Sequence, residues 1–220
     1  AALAEDNQVT TFTMQQALDM ATRNSAALKQ SNYNLDRSYE VKKNTEMKAN
    51  ITIPAGGLYT YPVTAVMTSA DMADLSWRMS QKNKDIQNDT LVYSVFDKYN
   101  KVNQALRKAE GAEKALASAQ WGLHVARVNY QVGIISSLAL IQAEVQYDGA
   151  KAAAGVAKQG VVDAYRDFNY LVGLSIDSAP VLTEKPAYSE YKVENLESEI
   201  SRIMEDNPSL TLSKYNLDLA

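Results

Sequence analysis

The sequence predicts a mainly α-helical protein built around a long antiparallel, coiled-coil-like helical hairpin. The first observation is that apolar residues recur at alternating steps of four and three over two long stretches, 82–131 and 137–171. The second is that none of the chain's 5 prolines falls within 63–179, so no ring constraint interrupts either stretch. Two such stretches joined by a short reversal predict a hairpin.

The hairpin arms each carry two rows of apolar residues. In the first arm the larger side chains form one row and alanines form the other: Val95, Tyr99, Val102, Leu106, Ala109, Leu116, Leu123 and Tyr130, beside Ala105, Ala112, Ala119 and Ala126. The return arm repeats this with Leu140, Tyr147, Ala154, Val161 and Phe168, beside Ala143, Ala150, Ala157 and Ala164. Alanine allows helices to approach closely. Two rows per helix predict two neighbours per helix.

The reversal between the arms has the residues that a tight turn needs. Gly133 can take the positive φ that ends a helix. Ser136 or Ser137 can cap the next helix with a side-chain oxygen. Around the turn stand Val132 and Ile134, apolar residues at the end of a water-exposed rod, which favours a docking surface there. The alternative is that these residues serve the turn alone.

The motifs of the hairpin resemble those of TolC-like outer-membrane efflux proteins. In that family the periplasmic tip is marked by three positions spaced three residues apart: a Tyr or Phe, then a Gly, then a Ser or Ala. A Gln-Ala-x-x-x-Tyr stretch follows on the return helix, and a Leu-x-Gly closes it. The matching residues here are Tyr130, Gly133 and Ser136, then Gln142-Ala143 with Tyr147, and Leu171-Val172-Gly173. The Asp that the family often carries six residues after the tip glycine is Ala139 here, which puts a tip contact through that acid in doubt but not the turn.

The resemblance implies an outer-membrane channel component of a tripartite multidrug efflux or type I secretion system in Gram-negative cells. Its helices would form a periplasm-spanning α-helical barrel, as a homotrimer in the full-length protein. The tip residues Val132, Gly133, Ile134 and Ser136 would dock to a periplasmic membrane fusion protein, and an inner-membrane pump would supply the energy. Transport would then be passive, without a cofactor. The substrate is left open.

The segment 1–48 is expected to hold an export remnant and the first helix. Small residues at Ala2 and Ala4 resemble the end of a signal peptide. Thr13 is the predicted N-cap of the helix, with Gln16 in the capping-box position. A break or a bend is predicted near Asn24-Ser25, after which the helix continues to about residue 48.

The segment 49–80 is predicted to be a β-strand or a loop. It holds two prolines, a Gly-Gly pair and an alternation of β-formers around Tyr59-Thr60-Tyr61. The resemblance implies that it forms strands of a transmembrane β-barrel in contact with outer-membrane lipid, with 58–68 and 72–79 as candidates. A loop or a short soluble hairpin is the alternative. Two roles are open for Trp77 in this segment: it anchors at a membrane interface, or it covers an apolar cluster.

After the hairpin segment 81–174, the segment 175–193 is predicted to be an extended connector that includes a short strand. The segment 194–220 then repeats the start of the chain. Tyr33-Asn34-Leu35-Asp36 recurs as Tyr215-Asn216-Leu217-Asp218, and Met14, Leu18 and Leu28 match Leu196, Ile200 and Leu210 in the same register. Asn195 or one of its neighbours is the predicted cap of a new helix, and Pro208 suits the first turn of the helix after it. The chain is therefore expected to represent the first half of a TolC-like protomer.

Composition argues against several other classes of protein. There are no cysteines and only 1 histidine, His124, which has no carboxylate one turn away, so neither a metal site nor a catalytic triad is expected. The net charge of −4 and the scattered basic residues do not favour nucleic acid. The remaining alternatives are a periplasmic helical-hairpin adaptor of the membrane-fusion type, a structural coiled-coil protein and an enzyme on a helical scaffold. The repeat favours the channel component over the adaptor.

Overall fold

The computed structural model describes residues 11–52, 61–185, 190, 192–193 and 195–218. In this part of the chain there are six helices and two short strands, in the order β1 (Thr11–Phe12), α1 (Met14–Asn24), α2 (Ala26–Thr52), α3 (Tyr61–Gln131), α4 (Ser137–Val172), β2 (Val181–Leu182), α5 (Leu196–Asp206) and α6 (Pro208–Asp218). The prediction of a mainly helical chain is confirmed. The chain divides into two compact units, one of residues 1–24 with 94–187 and one of residues 25–93 with 188–220.

The core of the first unit lies where the open end of the hairpin meets both short strands. The buried side chains there are Phe12, Val95, Tyr99, Val102, Phe168 and Val172. The Tyr99 and Phe168 rings pack edge to face with their centroids 6.0 Å apart. β1 pairs in parallel with β2, which confirms the short strand predicted in the connector. α1 packs on α4 with Ala17 and Ala21 fully buried.

The two predicted rows of each arm form a single seam between the arms. Leu123 is buried in this seam and the neighbouring Ala119 and Ala126 are half-buried beside it. On α4 the corresponding buried residues are Ala154 and Ala157. The rows merge because the steps from one row to the other are themselves three and four residues, so both lie on one stripe. The prediction that the alanines form a second, separate seam was wrong.

Residues 61–79, predicted as strand or loop, are helical. α3 begins at Tyr61 rather than at Lys82, and α2 continues to Thr52; the predicted strand residues 53–60 lie outside the described residues. Long-range packing of α3 on α2 overrides the short alternation of β-formers: Lys42 Nζ lies 2.6 Å from Asp74 Oδ1. Trp77 packs against Tyr39 and under the Lys42 ammonium, 4.0 Å from the ring centroid.

The helix starts and breaks follow the predicted capping residues. The Thr13 hydroxyl accepts from the Gln16 amide at 3.2 Å, and the Gln16 side chain accepts from the Thr13 amide, which completes the capping box. Ser25 separates α1 from α2, and its hydroxyl accepts from the Leu28 amide. The predicted break at Asn24-Ser25 is confirmed.

The last two helices begin as the first two do: α5 matches α1 in length, and α6 starts at the position equivalent to the start of α2. Asn195 caps α5 by accepting from the amides of Glu197 and Ser198. α5 and α1 each have 11 residues, and in both cases one residue separates the helix from the next one. Asn207 takes the place of Ser25 and accepts from the Leu210 amide, as Ser25 does from that of Leu28. The shared bounds and caps support the internal repeat.

Candidate docking site at the hairpin tip

The C-terminus of α3 ends in a Schellman motif centred on Gly133. Gly133 has a φ of 75°, in the left-handed region where glycine carries no steric penalty. Its amide donates to the Tyr130 carbonyl at 3.0 Å, and the Ile134 amide donates to the Asn129 carbonyl at 2.8 Å. These two bonds satisfy carbonyls that the helix end would otherwise leave without partners. Gly133 therefore acts through the backbone.

The start of α4 is capped by Ser136. Its extended backbone lies just outside the helix, and its hydroxyl accepts from the Ala139 amide at 3.3 Å. The Ser136 carbonyl accepts from the Leu140 amide at 3.2 Å. Of the two serines considered for this role, Ser136 is the cap and Ser137 is the first helical residue. The reversal thus has a defined shape fixed by local hydrogen bonds at both ends.

Between these caps the apolar side chains of the tip face solvent. Val132 is 64% exposed and Ile134 is 71% exposed. The amides of Val132, Gly133 and Ile134 are already paired within the chain, so water at these two side chains contacts mainly hydrocarbon. The four predicted residues therefore divide into two roles. Val132 and Ile134 provide the surface, and Gly133 and Ser136 hold it in place.

The apolar surface continues along both arms, beyond the residues that sequence reasoning selected. On α3 the exposed residues are Trp121, Val125 and Val128, and on α4 they are Leu138, Ile141 and Val145. Each set continues from the tip at steps of four and three. That spacing is visible in the sequence, but it was hidden by the stronger pattern of the seam between the arms.

Two ion pairs across the hairpin show which residues of the two arms lie at the same height. Arg127 lies 3.4 Å from Glu144, and Lys158 lies 3.0 Å from Glu113. Their side chains are more than two-fifths exposed, so each pair contributes little to stability. Their value here is geometric, because they show which residues of the two arms face each other.

The described residues hold no group of three or more His, Cys, Asp or Glu side chains placed to bind a metal ion. His124 lies beside Trp121 on the surface of α3, with the ring centroids 5.7 Å apart. In the described part of the chain, no helix combines the length and the apolar character needed to cross a membrane.

No protein-family model matches this sequence, and no curated protein is significantly similar to it.

Proposed function

We propose that this chain is a TolC-like channel component of a tripartite efflux or type I secretion system. It would lie with its hairpin in the periplasm and act at the outer membrane. The hairpin would dock through its tip to a periplasmic membrane fusion protein, which connects it to an inner-membrane pump. Copies of the chain would line a helical conduit, as a homotrimer in the full-length protein, and the pump would drive transport.

The observation that carries this proposal is the rigid, capped tip with apolar side chains in water. A turn that served only to reverse the chain would have no need of exposed Val132 and Ile134 between a Schellman motif and an N-cap. A preformed apolar contact loses little conformational entropy on binding. This favours recognition of a complementary apolar surface on another protein, such as the tip of an adaptor hairpin.

The repeated helix pair supports the channel component rather than an adaptor. α5 has the length of α1, α6 begins one residue after it as α2 does after α1, and the capping positions Asn207 and Ser25 correspond. A channel protein assembled from repeats of this kind has a use for a second helix pair, whereas an adaptor hairpin has none.

The test is binding of the purified chain to periplasmic membrane fusion proteins of its source organism, measured by surface plasmon resonance. The decisive variants are Gly133→Asp and Gly133→Asn, which have nearly the same shape and are both tolerated at positive φ. The aspartate would place a charge in an apolar contact, so we expect it to weaken binding at least tenfold more than asparagine does. Helix content measured by circular dichroism should be equal in the two variants.

A remote charge gives the second control. Tyr170→Asp removes a highly exposed aromatic residue near the other end of α4, roughly 50 Å from the tip along the helix. It should leave adaptor binding unchanged, while Ile134→Asp should reduce it as Gly133→Asp does. Equal binding by the aspartate and asparagine variants at Gly133, together with intact binding by Ile134→Asp, would remove the tip from the contact.

A further inference from the structure

The seam between α2 and α3 holds a cavity of about 250 Å³ that is partly open to solvent. Its polar lining consists of Asn34, Arg37 and Ser38 from α2 and of Ser76 and Ser80 from α3. The cavity lies within one compact unit, the one that contains residues 25–93. It exists because the stripe of α3 that faces α2 has serines at this level, where larger apolar side chains would fill a packed seam.

The hydroxyl groups of this cavity have oxygen lone pairs to offer. The Ser38 hydroxyl donates to the Leu35 carbonyl at 2.8 Å, and the Ser80 hydroxyl donates to the Ser76 carbonyl at 3.0 Å. Each hydroxyl proton is therefore already used within its own helix, while the oxygen can still accept. Ser38 and Ser80 are half-buried, so they present these acceptors inside the cavity rather than on open surface.

The two remaining polar groups of α2 supply donors. The Asn34 side-chain oxygen accepts from the Gln30 amide nitrogen at 3.1 Å, which leaves the Asn34 side-chain nitrogen free to donate. The Arg37 guanidinium has no ion pair and no hydrogen bond with any described residue. A guanidinium offers five N–H donors in a planar fork, and that fork matches the two oxygens of a carboxylate.

The cavity lacks a carboxylate that could neutralise this guanidinium. None of its lining residues in the described part of the chain is Asp or Glu. The nearby Asp74 is already held by Lys42 at 2.6 Å and by Arg78 at 2.7 Å, so it does not compete for Arg37. The cavity therefore combines an unpaired positive charge with neutral acceptors, and it is complementary to a small anion that also carries hydroxyl groups.

We propose that this cavity binds a small hydroxylated carboxylate, such as a sugar acid. The ligand carboxylate pairs with the Arg37 guanidinium and accepts from the Asn34 amide, and ligand hydroxyls donate to Ser38 and Ser80. Val41 and Ala73 complete the lining and contact the carbon chain. The cavity is smaller than the range of about 300–1,000 Å³ typical of drug-sized ligands, which favours a compact solute. This site is remote in sequence from the hairpin tip and does not rest on the proposed function.

The first test compares three compounds with carbon chains of equal length on the unmodified full chain. Gluconate carries both a carboxylate and hydroxyls, glucose lacks the carboxylate, and hexanoate lacks the hydroxyls. We expect gluconate to bind at least tenfold more tightly than either of the others, measured by isothermal titration calorimetry. Equal affinity for all three, or no binding of gluconate at concentrations up to roughly 10 mM, would overturn the proposal.

A charge variant tests the role of Arg37. Arg37→Gln should weaken gluconate binding at least tenfold and leave the affinity for glucose unchanged. The matched control is Arg107→Gln, which removes another exposed arginine of the chain and should leave gluconate binding as it is. Circular dichroism should be the same for both variants, because the Arg37 side chain holds no other described residue in place. Full gluconate binding by Arg37→Gln would refute the assigned ion pair.

A filling variant tests the location of the ligand. Ser76→Leu places a larger side chain in the cavity and should abolish gluconate binding, while the chain stays folded because the seam becomes more apolar. Ser69→Leu is the control, because Ser69 does not line the cavity and lies about 10 Å from Ser76 along α3. It should bind gluconate as the unmodified chain does. Gluconate binding that survives Ser76→Leu would show that the ligand lies outside this cavity.

Discussion

Removal of one buried hydroxyl gives a quantitative test of how the two short strands are held to the hairpin. Tyr99 is 1% exposed, and its hydroxyl donates to the Phe12 carbonyl at 3.1 Å and accepts from the Glu184 amide at 3.0 Å. It therefore connects α3 to the backbone of both β1 and the residues after β2. Tyr99→Phe removes these two bonds and keeps the ring packed on Phe168.

The size of the effect follows from what the lost hydroxyl leaves behind. The Phe12 carbonyl still accepts from the amide and the hydroxyl of Thr183, at 3.1 and 3.2 Å. The Glu184 amide loses its partner, although Glu184 itself is exposed to water. A neutral hydrogen bond contributes about 1 kcal/mol, so the loss of both bonds should lower the free energy of unfolding by about 2 kcal/mol.

Urea denaturation followed by circular dichroism measures this loss, with Tyr170→Phe as the matched control. The Tyr170 side chain is 84% exposed, so removal of its hydroxyl should change the free energy of unfolding by less than about 0.5 kcal/mol. Amide hydrogen exchange at Glu184 should also be faster in Tyr99→Phe than in the unmodified chain. A Tyr99→Phe chain as stable as the control, with unchanged exchange at Glu184, would refute the role given to this hydroxyl.

Other predictions concern two glycines and one carboxylate. Gly155→Ala should raise the free energy of unfolding by about 0.5–1 kcal/mol, because the helix gains propensity and the added Cβ meets open space. Gly173→Ala should lower the free energy of unfolding by about 1–2 kcal/mol, because Gly173 has a φ of 84° and the Cβ would lie 2.7 Å from the Asn24 side chain. Thermal denaturation should therefore show a higher melting temperature for Gly155→Ala and a lower one for Gly173→Ala. The hydrogen bond from Lys42, supported by the charges of Lys42 and Arg78, outweighs desolvation and holds the pKa of Asp74 below its ordinary value of 3.8. The stabilisation from the Asp74 carboxylate should therefore be complete above pH 3.8 and disappear as the pH falls through the lowered pKa. The free energy of unfolding of the unmodified chain and of Asp74→Asn, measured over a range of acid pH, should differ above that value and become equal below the lowered pKa.

The prediction of strand or loop over 49–80 failed because it rested on a few β-formers without their surroundings. Around Tyr61 the sequence alternates in the manner of a strand, yet α3 begins there. Downstream, Asp74 and Trp77 find their partners on α2, more than 30 residues earlier in the chain. Contacts between residues so far apart in the sequence can override local propensity, and they cannot be predicted from a local pattern.

The exposed apolar residues along the two arms of the hairpin were missed for a different reason. Their spacing of three and four residues was present in the sequence, but the seam between the arms has the same period and more residues. Only the exposure of Trp121 and Val145 separates the outward stripe from the inward one. Period alone reports that a helix has an apolar stripe, and burial reports which stripe is already covered.

Local chemistry was sufficient for the features that depend on a few neighbouring residues. Gly133 ends α3 and Thr13 caps its helix as predicted, and Ser136 and Asn195 are caps from the short stretches that the sequence offered. Such features follow from local sequence because a cap needs only a side chain and the amides two or three residues on. The pairing of β1 with β2 and its attachment through Tyr99 required the folded chain. Those bonds join groups 85 and 87 residues apart, and only packing of the hairpin brings them within reach.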